Sequence, residues 1–178
     1  MAKFQTKTKN HLRVLVFASI LCALSVILGQ YASIKIGSSI RIGFGALPIV
    51  MAGCLFGPWV GLSVGLVSDL VGCAVFYGLG SLIPLVTLGA VAEGFLAGVI
   101  GKKMTAPRLI IATFAARIIG SLGIKTLGLW LYYHTPLETI LFRIPIVLIE
   151  SALTAALLVA LFCTNSAVKK AVKGLTRS

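Results

Sequence analysis

Carboxylates are scarce: only Asp69, Glu93, Glu138 and Glu150 among 178 residues. Charged residues of both signs make up 11% of the chain, against about 25% in a soluble domain. Too few polar side chains remain to wet a globule of this size, which excludes a soluble fold and leaves hydrocarbon as the main solvent. Catalytic signatures are missing as well. GxxxxGK followed by Ser or Thr does not occur, and Gly98–Lys103 (GVIGKK) has the wrong spacing and no hydroxyl. HExxH, GxSxG and a paired-aspartate metal motif are absent. The chain thus lacks the means to hydrolyse ATP or to do ordinary hydrolytic chemistry, and no catalytic residue, metal or cofactor is expected.

Cysteine is sparse and carries no pattern. Cys22, Cys54, Cys73 and Cys163 each sit inside an apolar run, with no CxxC or Cys/His spacing, and read as small apolar filler. His11 and His134 lie in terminal or loop sequence. The net charge of +12 raises nucleic acid as a partner. The cations, however, cluster at the two ends and in one short loop, and no basic face is interleaved with base-stacking aromatics. That excludes a nucleic-acid groove and points to membrane topology.

What the chain has in abundance is apolar sequence, 58% by residue, with a mean hydropathy of +1.07. A helix needs about 20 apolar residues to cross about 30 Å of hydrocarbon. Six runs meet or approach this: Leu12–Gly29, Gly43–Gly57, Trp59–Tyr77, Ser81–Ile100, Arg108–Leu131 and Ile140–Cys163. Pro58 divides the second from the third, because proline removes a donor and disfavours helix in the residue before it. The basic start, MAKFQTKTKNHLR, resembles a signal peptide, but no small-residue cleavage site follows, so it reads as a retained first helix. Connections are short, which implies one all-α membrane domain over residues 1–178. The longest connection, Gln30–Arg41, alternates Ile34, Ile36 and Ile40 and reads as an extended segment lying on the protein.

Orientation follows from the distribution of cations. With the N-terminus inside, the inner segments hold Lys3, Lys7, Lys9, Arg13, Lys102, Lys103, Arg108, Lys169, Lys170, Lys173 and Arg177, while the outer ones hold Lys35 and Arg41. The expectation is a six-helix bundle with both termini cytoplasmic.

Arg117, Lys125 and Arg143, with Asp69, Glu93 and Glu150, fall within or at the ends of spans. An ionised group at mid-bilayer costs about 2.5–3.5 kcal/mol on insertion scales, so such groups face a cavity or one another. Two readings stand. The bland one is mutual ion pairing that holds the bundle together, strongest for Glu93 and Glu150. The other is a pocket for a charged solute. Arg143 and Glu150, seven residues apart, share one helical face. Cations away from the inner side gather toward the outer half, beside Trp130, Tyr132 and Tyr133. Guanidinium groups hold carboxylates in bidentate fashion and aromatics stack on rings, so the mixture suits a solute with an anionic group and a flat ring. Arg41, Arg117, Lys125 and Arg143 are candidates for the anion, and Trp130 and Tyr77 for the ring. An interfacial aromatic belt is the competing reading, above all for Tyr132 and Tyr133.

Glycine recurs every fourth residue at Gly53, Gly57, Gly61 and Gly65, and again at Gly94 and Gly98. Lipid tails are as apolar as leucine, so helices in a bilayer associate by close backbone packing, which small residues permit. Ser19 and Ala23 form a similar pair. The use is either internal packing or docking of a partner.

These residues carry a family resemblance. RIGFGALPIVMAGCLFGPWVGLSVGLVSDLVG resembles the second and third helices of substrate-binding S components of energy-coupling factor (ECF) vitamin transporters, and is most similar to the folate-specific branch. PLVTLGAVAEGFLAG and KTLGLWLYYHTPLETILFRIP extend the likeness over most of the chain. The resemblance implies a six-helix, multi-pass plasma-membrane protein that captures a vitamin, folate by this likeness, on its outer side beneath the first outer loop. It implies a complex with a transmembrane coupling subunit, docked at Ser19 and Ala23, and two cytoplasmic ATPases. It adds Phe44, beside Arg41, to the substrate-binding candidates. Asp69 is expected either to accept the N–H donors of a pterin or to pair with a cation such as Arg117. Lys125 and the Leu85–Val86 pair depart from the branch's usual pattern, so a pyridoxine-, thiamine- or riboflavin-like solute is the alternative, and a ligand-free structural bundle the next.

Overall fold

The computed structural model describes residues 2–31, 34–36, 40–76, 78, 83–101, 105–133 and 137–161. Its elements are α1 (Ala2–Gln30), β1 (Ile34–Ile36), β2 (Ile40–Ile42), α2 (Ala46–Phe56), α3 (Pro58–Phe76), α4 (Pro84–Gly101), α5 (Ala106–Arg117), a π-helical segment (Ile118–Lys125), α6 (Thr126–Tyr133) and α7 (Leu137–Val159). The stretch from α5 through α6 is one continuous span, so the architecture is an all-helical membrane bundle of six rods.

Five of the rods are long and apolar enough to cross a bilayer. The exception is α2, whose 11 residues reach only about 16 Å at 1.5 Å per residue. The chain before it forms a small hairpin. β1 and β2 pair antiparallel, with Ile34 opposite Ile42, Lys35 opposite Arg41 and Ile36 opposite Ile40. The alternating isoleucines thus become paired strands within an otherwise helical fold.

Burial is inverted relative to a soluble protein. Leu15, Ile20, Val75, Ile111 and Ile149 are exposed, while Glu93, Arg117 and Glu150 are 0%, 4% and 7% exposed. Apolar side chains face the hydrocarbon and charges face inward, as a bilayer solvent requires.

The fourfold glycine spacing is used for internal packing. A Cβ on Gly61 would strike the carbonyl of Gly94, and one on Gly94 would strike that of Gly61. Gly53 likewise abuts Gly94, Gly65 abuts Ala90 and Gly98 abuts Pro58. Bare faces let α2, α3 and α4 approach backbone to backbone. Gly57 has a separate role. Its φ of 98° lies in the left-handed region that glycine tolerates, and its N–H donates to the Gly53 carbonyl at 2.9 Å. Pro58 then opens α3 at a position where no N–H is needed, so α2 reverses into α3 within a single residue.

The bundle is filled unevenly along its length. Val50, Leu55, Ala97, Leu109, Ala112 and Leu158 form an apolar plug. These residues belong to the end of the bundle where α2, α4 and α7 finish and α5 begins. The opposite end, where α1 and α3 finish and α2, α4 and α7 begin, is not filled in this way.

Candidate ligand cavity

At that second end lies a cavity of about 350 Å³, within the range of about 300–1,000 Å³ usual for small-molecule sites. Every rod lends a wall: Ser25 and Gly29 from α1, Gly45 and Ile49 at the start of α2, Ser68, Asp69 and Cys73 from α3, Val86 and Ala90 from α4, Arg117, Ser121 and Lys125 from α5 and the π segment, and Arg143 and Glu150 from α7. Glycine contributes here by leaving room. A Cβ on Gly72, another wall residue, would meet nothing within 4 Å.

The π segment positions the fifth rod's contribution. Its i→i+5 turns are wider than α turns, so residues four apart stay close to one face. Arg117, Ser121 and Lys125, at that spacing, all reach the cavity. The Thr126 hydroxyl donates to the Ser121 carbonyl at 3.1 Å, five residues back. Gly120 lets the segment close on α4: a Cβ there would strike Cγ of Glu93, and one on Gly89 would strike Cγ of Lys125.

Charges are arranged as two committed pairs and two uncommitted groups. Arg117 Nη2 donates to Glu150 Oε2. The other Glu150 oxygen, Oε1, accepts the backbone N–H of Gly43 at 2.7 Å, which fastens the chain just after β2 to α7. Lys125 Nζ donates to Glu93 Oε1 at 2.9 Å. Arg143 makes no ion pair among the described residues. Asp69 lines the cavity and accepts from the Thr87 hydroxyl at 2.7 Å, with no ion pair among the described residues. Arg117 keeps one N–H, at Nε, without a partner among the described residues. At the entry to α2, the Ser25 hydroxyl donates to the Gly45 carbonyl at 2.6 Å, and Gly29 and Gly45 touch backbone to backbone.

Of the residues expected at a site, Asp69, Arg117, Lys125 and Arg143 come together on the wall. The expected alternative of an Asp69–Arg117 pair does not occur, since Glu150 holds Arg117. Trp130 is placed elsewhere: it is 50% exposed and is not a wall residue. The reason is helical phase. Gly128 is the α6 residue that faces α4, against Leu85, and two residues further along a helix points to the opposite side. Trp130 is therefore turned away from α4 and exposed. Phe44 is half-buried between Gly43 and Gly45 without lining the cavity. Arg41 belongs to β2 by its backbone, while its side chain and Tyr77 lie outside the described residues. Ser19 and Ala23 are exposed on α1, the Ser19 hydroxyl donating to the Leu15 carbonyl at 2.9 Å.

Sequence reasoning did not count Ser25, Ser68, Thr87 and Ser121 among the site residues, and favoured the ion-pairing reading for Glu150. The available signal was small hydroxyl residues recurring inside apolar spans, on the same faces as the acids and glycines.

Comparison with known proteins agrees with this architecture. A crystal structure of FolT bound with folic acid matches with a TM-score of 0.71 over 83% of this chain and 90% of that one, at 24% identity. The folate transporter FolT of Clostridium novyi (strain NT) is 30% identical over 118 residues, which are 65% of this chain and 67% of that protein. The family description "ECF transporter, substrate-specific component" matches residues 13–172. With a charged cavity at one end of an apolar bundle and a family match over nearly its whole length, this multi-pass cell-membrane protein belongs to the substrate-specific components of ECF transporters.

Proposed function

We propose that this chain is the folate-binding subunit of an ECF importer. One observation carries the reading: the cavity offers an uncommitted guanidinium, Arg143, and an acceptor carboxylate, Asp69, on one wall system. A folate needs both, since its pterin presents N–H donors and its glutamate presents carboxylates. Arg143 takes the anionic end and Asp69 the pterin. The names of the relatives support the same ligand.

In this reading residues 1–178 form a single membrane domain with both termini in the cytoplasm, as the excess of inner cations favours. The cavity then opens outward and the apolar plug seals the inner half. Ser19 and Ala23, on the exposed face of α1, dock a transmembrane coupling subunit, and two cytoplasmic ATPases supply the energy. The chain itself binds and reorients; it performs no chemistry.

Titration calorimetry of the protein purified in detergent, with folic acid in the cell buffer, tests this. Saturable one-to-one binding is expected. No heat signal, together with no retained pteridine on native mass spectrometry of protein from its own cells, would remove folate as the ligand.

A further inference from the structure

We propose that Glu150 is a specificity-determining residue that limits the cavity to one ionised carboxylate per ligand. The inference rests on the folate reading and specifies how that site counts charge. Among the described residues, the cavity and its immediate supports hold three cations, Arg117, Lys125 and Arg143, and three acids, Asp69, Glu93 and Glu150. These six described groups balance before any solute enters.

Two of the cations are held in fixed pairs. Glu93 is fully buried, and its pair with Lys125 is interlocked by Gly89 and Gly120, each glycine making room for the other helix's side chain. Glu150 is anchored from both sides, one oxygen on Arg117 and the other on the Gly43 N–H at 2.7 Å. A carboxylate tied down in this way does not swing aside to free Arg117 for a ligand. Arg117 keeps a buried Nε–H without a partner among the described residues, but its charge is already answered by Glu150. Among the described residues, Arg143 alone is left without an ion pair to neutralise an anion. A second carboxylate drawn into this low-dielectric space would be an uncompensated buried charge, so it stays in water at the mouth.

The test is calorimetry with four ligands of nearly equal size: folic acid, its α-monoamide, its γ-monoamide and its diamide. In the wild type, the better monoamide is expected to bind within about tenfold of folic acid. The diamide is expected to bind at least about tenfold more weakly than that monoamide, the scale of one charge-assisted hydrogen bond. Glu150→Gln keeps an oxygen for the Gly43 N–H but removes the negative charge. Folic acid should then gain at least about tenfold over the better monoamide, because Arg117 becomes a second free cation. If Glu150→Gln does not fold, the double variant Arg117→Met with Glu150→Leu deletes the neutral pair and should keep the wild-type ratio between folic acid and monoamide. A wild-type preference for the dianion above tenfold overturns the proposal. So does an unchanged ratio in Glu150→Gln, or a shifted ratio in the double variant. Binding of none of the four would remove the folate reading itself, a result distinct from binding with the wrong charge dependence.

Discussion

Lys125 reaches Glu93 across the bare face of Gly89, and Glu93 in turn lies over Gly120, with 2.9 Å between Nζ and Oε1. Two glycines on facing helices therefore set the length of one ion pair. Gly120→Ala places a methyl group where Glu93 Cγ now sits. The expected cost is about 1–3 kcal/mol, the range for overpacking a tight contact, read as a lowered Tm in detergent. Binding should weaken as well, because Lys125 and Ser121 on the cavity wall move with the displaced segment. An unchanged Tm would mean that α4 and the π segment are further apart than described.

The same pair gives a second prediction through its charges. Removing one partner of a buried pair strands the other and costs about 3–5 kcal/mol, whereas replacing both by apolar residues is often neutral or stabilising. Glu93→Leu is expected to destabilise strongly, because Lys125 is left without its acid. Adding Lys125→Met should restore most of the lost stability. A double-mutant cycle of thermal midpoints measures this. Additive losses would show that the two residues act independently.

How much of this was legible in the sequence depends on the range of each signal. The spans, the Pro58 break and the bare glycine faces were readable because hydropathy and fourfold spacing are local properties, while the choice between internal packing and partner docking for those faces was not. Arg143 and Glu150 were placed on one face by their separation alone, and both reach the cavity. The choice of partner was not readable: Arg117 lies 33 residues from Glu150, and only the packing of α5 against α7 decides between Glu150 and Asp69. Nor was the π segment, since Ile118–Lys125 is equally apolar wound as α or π. Trp130 follows Lys125 closely in sequence, yet on α6 it is turned away from the Gly128 face that meets α4. Ser25 and Thr87 each hold one partner across helices, which a single apolar run does not reveal.

Arg143 separates an anionic ligand from a neutral one. It has no ion pair among the described residues, so Arg143→Ala should leave Tm unchanged or raise it by relieving a partly buried charge. Affinity for folic acid is expected to fall at least about tenfold, equivalent to one charge-assisted hydrogen bond of about 1.5–3 kcal/mol. Arg143→Lys should lie between, keeping the charge and losing the bidentate fork. Calorimetry and a thermal scan on the same preparations decide. If Arg143→Ala binds as tightly as the wild type, the ligand's anion is held elsewhere or the ligand is neutral.

Gly61 and Gly72 occupy one helix, α3, yet predict opposite outcomes. Gly61 is pressed against the Gly94 carbonyl, while a side chain at Gly72 would enter open cavity. Gly61→Ala should therefore cost about 1–3 kcal/mol by forcing α3 from α4. Gly72→Ala should stabilise by up to about 1 kcal/mol, since alanine has the higher helix propensity. Enlarging the second site separates folding from binding. Gly72→Leu fills ligand space without touching the glycine contacts, so Tm should hold while folic acid binding disappears. Retained affinity in Gly72→Leu would place the ligand away from α3 and would remove Asp69, one turn before Gly72, from the pterin's surroundings.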